Sequence, residues 1–210
     1  FGGHYHLYIG QEAAGAAVMA SLGAEDRIFS THRNHGHLIA RGVDPKKGLA
    51  EILNRADGTN GGRGGTFHLA DASVGMPHTS ALVGGAVPLA AGAGFAAKLQ
   101  KSGGIGVSMF GDGCFEEGVV FETLNLARMW ELPVIFVCEN NRYSVYTNLE
   151  NRQPDRSMKT IAKAHGWEVG SGNGNDLNQV VEISRQAVSR LKANKCPQFL
   201  EFETYRWVEH

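Results

Sequence analysis

Short apolar runs alternate with stretches of helical spacing along most of the chain. Residues 105–110, 134–138 and 199–203 read as buried strands, with weaker runs at 27–30 and 167–169. A run that is apolar on both faces is what a parallel sheet covered on both sides requires, whereas a half-exposed strand would alternate. Helices are predicted over 11–22, 46–55, 88–101, 115–130, 158–165 and 176–193, separated by short Gly, Asn and Pro punctuation. Strands alternating with helices predict an α/β fold, a doubly wound parallel sheet flanked by helices. Two segments, 57–79 and 143–156, lack periodicity. Connections of that length inside a compact domain are usually functional or mobile.

Length and charge narrow the classes. With 210 residues and no Pro- or Ser-rich linker, residues 1–210 are expected to form a single domain. The chain opens at Phe1 without an initiator Met and closes at His210 directly after a strand-like run, so we expect it to be part of a longer product. Lys and Arg number 20 against 21 Asp and Glu, which offers no basic excess for nucleic acid or an anionic membrane surface. The uncharged run 80–97 is mostly Gly and Ala, with Pro88 inside it, and reads as a buried helix rather than a membrane span. Cys114, Cys138 and Cys196 are an odd set without a C-x-x-C pair, which points to a reducing compartment and a cytoplasmic protein.

The chemistry concentrates at two strand ends. Phe110-Gly111-Asp112-Gly113 closes one predicted strand, and Glu139-Asn140-Asn141 closes the next. Asp112 lies 29 residues before Asn141, enough for one crossover helix and one strand. In a doubly wound sheet both then lie on the carboxyl edge, where such folds bind ligands. Alone, Gly-Asp-Gly reads as a turn and Asn-Asn as a loop. Together they bring a carboxylate and an amide oxygen to one point, a donor set suited to Mg²⁺ or Ca²⁺. Gly111 and Gly113 leave room for a diphosphate, and a helix expected to begin near Cys114 would add amide donors.

This pair resembles the thiamine-diphosphate motif that opens with Gly-Asp-Gly and closes with Asn-Asn. The resemblance extends through His6-Leu7-Tyr8, Gly10-Gln11-Glu12, Thr31-His32-Arg33-Asn34-His35-Gly36, Gly64-Gly65-Thr66-Phe67-His68, Leu82-Val83-Gly84 and Thr204-Tyr205-Arg206. Over nearly all its length the chain is similar to alpha subunits of the decarboxylating component of pyruvate, acetoin and branched-chain 2-oxoacid dehydrogenases. The resemblance implies thiamine diphosphate and Mg²⁺ as cofactors, the metal held by Asp112, Asn141 and the main-chain carbonyl of Tyr143. It implies His6, His32 and Arg33 around the diphosphate, with Gly113 and Cys114 beside them. Ala81, Leu82 and Val83 would meet the aminopyrimidine, and His35 and His210 would lie near the reacting centre as catalytic groups.

By the same resemblance, the glutamate that activates the cofactor belongs to a beta subunit, and the assembly is an α₂β₂ heterotetramer that passes an acyl group to a lipoyl-bearing acyltransferase. The expected reaction is oxidative decarboxylation of a 2-oxoacid, pyruvate foremost, or cleavage of acetoin. A carboligase or acyloin synthase without a lipoyl acceptor, and a noncatalytic cofactor-positioning subunit, are the alternatives. His32, His35 and His37 lack a Cys or acidic fourth ligand for zinc. Gly92-x-Gly94-x-x-Ala97 matches a loose dinucleotide pattern but lies inside a predicted helix, where small residues serve close packing. Relatives often carry small, amide-bearing residues after Gly-Asp-Gly, where this chain has Cys114-Phe115-Glu116-Glu117. We expect both glutamates to point outward or toward a partner.

Overall fold

The computed structural model describes residues 4–208 and 210. In chain order it contains α1 (Glu12–Ala20), β1 (Arg27–Thr31), α2 (His35–Ala40), α3 (Pro45–Ile52), β2 (His78–Ser80), α4 (Ala86–Gln100), β3 (Gly106–Gly111), α5 (Gly118–Met129) and β4 (Val134–Asn140). A small hairpin, β5 (Tyr143–Ser144) and β6 (Thr147–Asn148), leads to α6 (Leu149–Arg152). Then come α7 (Met158–Ala164), β7 (Glu168–Asn173), α8 (Leu177–Asn194) and β8 (Gln198–Glu203).

The six long-range strands pair in the order β2-β1-β3-β4-β8-β7, every neighbour parallel. From β1 the sheet grows one way to β2 and the other way through β3 to β4. The strand order therefore reverses beside β1, and the crevice outside the carboxyl ends of β1 and β3 is where such a sheet binds ligands.

Strand residues divide between two cores by their period of two. Ile135 and Val137 of β4 join Val107, Met109, Leu200 and Phe202 under α1 and α8. Val134, Phe136 and Cys138 join Phe110 and Phe199 under α4, α5 and α7. All seven β4 residues are buried: 134–138 as the unbroken apolar run predicts, and Glu139 and Asn140 beyond that run. Local capping also follows the sequence: the side chain of Asp176 accepts from Gln179 N at the start of α8, and Ser157 does the same for Thr160 N at α7.

Several expectations change. The helix expected from 115, with its N-terminus near Cys114, is instead a 3₁₀ turn over Asp112–Glu116, and α5 starts at Gly118. The tight turn carries Cys114 and Phe115 into the core before the helix can begin. β2 and α2 lie in segments without a legible period: β2 is only His78, Thr79 and Ser80, held by its register against β1. The run 80–97 is helical only from Ala86, and among the described residues no helix is long and apolar enough to cross a membrane.

Small residues in α4 serve packing. A Cβ on Gly94 would lie 2.6 Å from Val134 Cγ1. On the strand side, a Cβ on Gly106 would come within 2.0 Å of the Ala90 carbonyl oxygen. Gly106→Ala must therefore push α4 off β3, and we expect it to destabilise the protein by about 1–3 kcal/mol, the range for overpacked cores. Chemical denaturation measures this; an unchanged midpoint contradicts the close approach of α4 to β3.

Candidate functional site

A cleft of about 300 Å³ opens at the carboxyl edge of the sheet. Its wall is contributed strand by strand: Thr31, His32 and Arg33 after β1, Ser80 to Gly84 after β2, Gly111, Gly113 and Cys114 after β3, Glu139, Asn141 and Tyr143 at the end of β4 and beyond, and Arg206 and His210 after β8. The switch point of the sheet thus supplies the residues whose types were singled out in the sequence.

One end of the cleft is cationic. Arg33 is buried, its guanidinium donating to Leu7 O and approaching His210 Nδ1 at 3.3 Å, while Arg206 Nη1 lies 3.4 Å from the same nitrogen. A guanidinium only donates, so the bonding pattern assigns His210 Nδ1 as the acceptor and puts its proton on Nε2. That proton faces His6 Nε2 at 2.9 Å. Neutral His6 then carries its own proton on Nδ1, which is buried without a partner. A donor buried in this way seeks an acceptor.

Electrostatics agree. Burial, then its neighbours His32, His210 and Arg33, lowers His6 to about 3. Burial, Arg33 and His210 lower His32 to about 4. Burial and then Arg206 lower even Arg33, from 12.5 to about 10. Two guanidiniums, with histidines held neutral beside them and an orphaned donor on His6, form a receptor for an anion. The ligand atoms of His6, His32 and His210 also lie within 4.8 Å of one another, a spacing open to a transition metal. Two guanidiniums on His210 and the spent His210–His6 nitrogens disfavour a cation there, whereas a phosphate oxygen would satisfy the free donor at His6 Nδ1 and the guanidiniums.

The other end offers oxygen. Asp112 is fully buried; its Oδ2 pairs with Arg152, and its Oδ1 has no hydrogen-bond partner. Burial pushes the Asp112 carboxyl up, and the Arg152 bond pulls it back. Asn141 is oriented on both sides: Nδ2 donates to Gln11 Oε1 at 2.8 Å, and Oδ1 accepts from Tyr143 N at 3.0 Å. Thr204 Oγ1 in turn donates to Gln11 Oε1. Asp112 lies under the cleft wall rather than in it, and its orphaned carboxylate oxygen and the oriented amide oxygen of Asn141, each just past the end of one of two paired strands, are the donor types a hard divalent cation takes. Gly113 must lack a side chain here, because a Cβ would lie 2.7 Å from Ser144 Oγ.

Between these ends, Ala81, Leu82 and Val83 line the cleft, Leu82 with 77% of its surface exposed. Phe67 closes one side, presented by a loop whose organiser is Glu51. Burial raises the Glu51 carboxyl, but backbone amides of Asn60, Gly62 and Gly64 outweigh it and hold it below its ordinary range. Cys114 lines the cleft with its thiol pushed by burial up to about 12, which makes it an inert wall rather than a nucleophile. His35 is not a wall residue; its Nε2 lies 3.3 Å from Thr66 Oγ1 at the start of α2.

Three functional groups escaped the sequence reading. Glu139 lines the cleft and is held from below by Tyr8 OH and His37 Nε2, with His37 Nδ1 anchored 2.8 Å from Ser30 Oγ. Gln11 orients Asn141, and Arg206 shares His210 with Arg33. An acidic residue ending a wholly apolar strand was the legible signal for Glu139. Both Glu116 and Glu117 are exposed, as expected, and Glu116 is in addition paired with Arg152 of the same chain.

A sequence model of the family described as dehydrogenase E1 component matches residues 2–210. The alpha subunit of acetoin:2,6-dichlorophenolindophenol oxidoreductase from Cupriavidus necator is 39% identical over 208 residues, which cover 99% of this chain and 62% of the relative. The protein of the same name from Bacillus subtilis is also 39% identical, with the same coverage. The pyruvate dehydrogenase E1 component subunit alpha of Zymomonas mobilis is 37% identical over 209 residues, 99% of this chain and 59% of the relative. The chain thus spans 59 to 62% of the length of these relatives.

The depressed histidines set the sign of a pH effect. Unfolded histidine titrates near 6.5, while His6 and His32 titrate at about 3 and about 4 in the fold. Between these values the unfolded chain binds more protons, so stability is full above about pH 6.5 and declines as pH falls toward 4. We expect the denaturation midpoint to drop from about pH 7 to about pH 5, and His6→Gln with His32→Gln to flatten that slope. A double variant as steep as wild type contradicts the neutral-histidine assignment.

Proposed function

The chain belongs to the dehydrogenase E1 component family, and from that premise we propose that residues 1–210 are the single cofactor-binding domain of an alpha subunit that oxidatively decarboxylates a 2-oxoacid, pyruvate foremost, or cleaves acetoin. Relatives named for acetoin and for pyruvate support both substrates. The family implies thiamine diphosphate, which when bound supplies an electron sink for breaking a carbon–carbon bond beside a carbonyl. The observation that carries the reading is the bipolar cleft: an anion-seeking end at His6, His32 and Arg33, and an oxygen-rich end at Asp112 and Asn141.

The residues divide the work accordingly. Arg33 offers a fork of donors to phosphate oxygens, and His6 adds its unpartnered Nδ1–H. Asp112 Oδ1, Asn141 Oδ1 and the Tyr143 carbonyl would hold Mg²⁺, and backbone at Gly113 and Cys114 would meet the diphosphate. Ala81, Leu82 and Val83 would form an apolar shelf for the aminopyrimidine. His210 would hold a proton at Nε2 near the reacting centre; His35, which does not line the cleft and instead meets Thr66, would serve as the second catalytic histidine only in the assembled, cofactor-bound protein.

This domain holds part of a site, and a beta-type subunit in an α₂β₂ assembly completes it with the activating glutamate. Support comes from the relatives' designation as alpha subunits and from the outer face of α4. Pro88, Leu89, Gly92, Phe95, Ala96 and Leu99 are all exposed there, so α4 is apolar on both sides. A helix that is apolar all round is normally buried. In this reading the acyl product would pass to a lipoyl carrier and the enzyme would work in the cytoplasm; an odd set of three cysteines without a C-x-x-C pair supports a reducing compartment, and the balance of 20 basic against 21 acidic residues supports a protein that binds neither nucleic acid nor membrane.

Expressing the full-length protein with and without its beta-type partner, in thiamine diphosphate and Mg²⁺, tests this. With 2,6-dichlorophenolindophenol as acceptor we expect turnover of pyruvate or acetoin only when both subunits are present. Asp112→Ala should abolish Mg²⁺-dependent cofactor retention, because it removes the charged ligand of an ion that tolerates little distortion. Turnover by the alpha chain alone, or wild-type cofactor affinity in Asp112→Ala, overturns the proposal.

A further inference from the structure

Arg152 reaches Asp112 from 40 residues further along the chain. It ends α6, its side chain is 10% exposed, and its two terminal nitrogens hold different carboxylates: Nη2 the Oδ2 of Asp112, and Nη1 the Oε1 of Glu116. Its third nitrogen, Nε, donates to Thr147 O at 3.0 Å. Gln153 Nε2 also donates to Glu116 Oε1, at 2.8 Å. We propose that Arg152 is the positioning residue of the metal site and that Glu116 is its charge balance. The guanidinium locks one oxygen of Asp112 so that the other faces the ion, and Glu116 cancels the guanidinium so that a cation can be accepted beside it.

The argument rests on the Mg²⁺ reading of Asp112 and then on charge. Asp112 and Arg152 alone form a neutral pair, which has little attraction for a divalent ion. Glu116 restores a net charge of −1 to the trio. Its placement four residues after Asp112, on the same 3₁₀ turn, brings its carboxylate to the same guanidinium. A carboxylate that binds metal through one oxygen is commonly fixed by a hydrogen bond to the other, and loss of such a partner typically lowers metal affinity about 10–100-fold. The unpartnered Oδ1 of Asp112 is what remains when Arg152 has taken Oδ2.

The same guanidinium couples the two sides of the site. Through Thr147 it ties down the β5–β6 hairpin, which carries Tyr143 and lies against Gly113, where a Cβ would stand 2.7 Å from Ser144 Oγ and 3.6 Å from Arg152 Nη1. Asp112 and the hairpin that carries Tyr143 are thereby set by one side chain.

The test is a Mn²⁺ titration followed by electron paramagnetic resonance, in thiamine diphosphate, on the full-length protein with its partner subunit. Thermal unfolding without ligand is recorded in parallel. We expect Arg152→Met to weaken Mn²⁺ binding about 10–100-fold, with Arg152→Lys intermediate because an ammonium lacks the fork. Glu116→Gln should weaken it as well, by removing the balancing charge. Glu150→Ala, which breaks the exposed Arg142–Glu150 tie from the side away from the metal ligands, should bind as wild type and separates orientation of Asp112 from general loosening of the loop. Wild-type or tighter Mn²⁺ binding by Arg152→Met overturns the inference, the tighter result making Arg152 a competitor of the ion. Should that variant fail to fold, Arg152→Lys and Glu116→Gln decide by the same titration, and wild-type affinity in both overturns it. A wild-type protein that binds no Mn²⁺ instead removes the metal reading of Asp112 itself.

Discussion

The parallel register of β3 against β4 sets Gly111 level with Glu139, and the chemistry of the cleft depends on that pairing. Backbone hydrogen bonds along the two strands fix where each chain leaves the sheet. Asp112 and Asn141 are carried just past that edge, one on a 3₁₀ turn and the other on a loop. A slip of one residue would turn every side chain of β4 to the opposite face and exchange the two cores. The aromatic packing of Phe110, Phe136 and Phe199 on one face, against Val107, Ile135 and Leu200 on the other, resists such a slip. Packing far from the cleft therefore determines the placement of its ligands.

Charge within the cleft is arranged so that buried groups are either paired or aimed at an incoming ligand. Glu139 is held by Tyr8 and His37, and Glu51 by backbone amides, so neither is left as an isolated buried charge. The exceptions are informative. His6 Nδ1 and Asp112 Oδ1 are both buried without partners, one a donor at the cationic end and the other an acceptor at the oxygen end. A ligand that carries negative charge together with a bound cation satisfies both at once. A simple anion or a lone metal satisfies only one.

The motifs legible in the sequence are those made by neighbours along the chain. Gly111-Asp112-Gly113 and Glu139-Asn140-Asn141 follow apolar runs, and such runs are readable as buried strands, so their convergence could be expected from topology. The long buried strands were readable for the same reason. What escaped was set by contacts between distant residues. The three-residue β2 exists because β1 offers it a register, not because His78, Thr79 and Ser80 carry any period. The pairing of Glu116 depends on an arginine 36 residues away, and the orientation of Asn141 on a glutamine 130 residues away. Periodicity holds no trace of such pairs. The 3₁₀ turn at Cys114 was misread as a helix start because acidic residues in that stretch match the preference of a helix N-terminus.

The two-ended cleft is tested most directly by a crystal structure of the assembled protein with thiamine diphosphate and Mn²⁺, the ion located by its anomalous scattering. The account predicts one strong peak in bonding contact with Asp112 Oδ1 and Asn141 Oδ1, and diphosphate oxygens facing Arg33 and His6. A peak seated among His6, His32 and His210, with Asp112 Oδ1 still unpartnered, would contradict it.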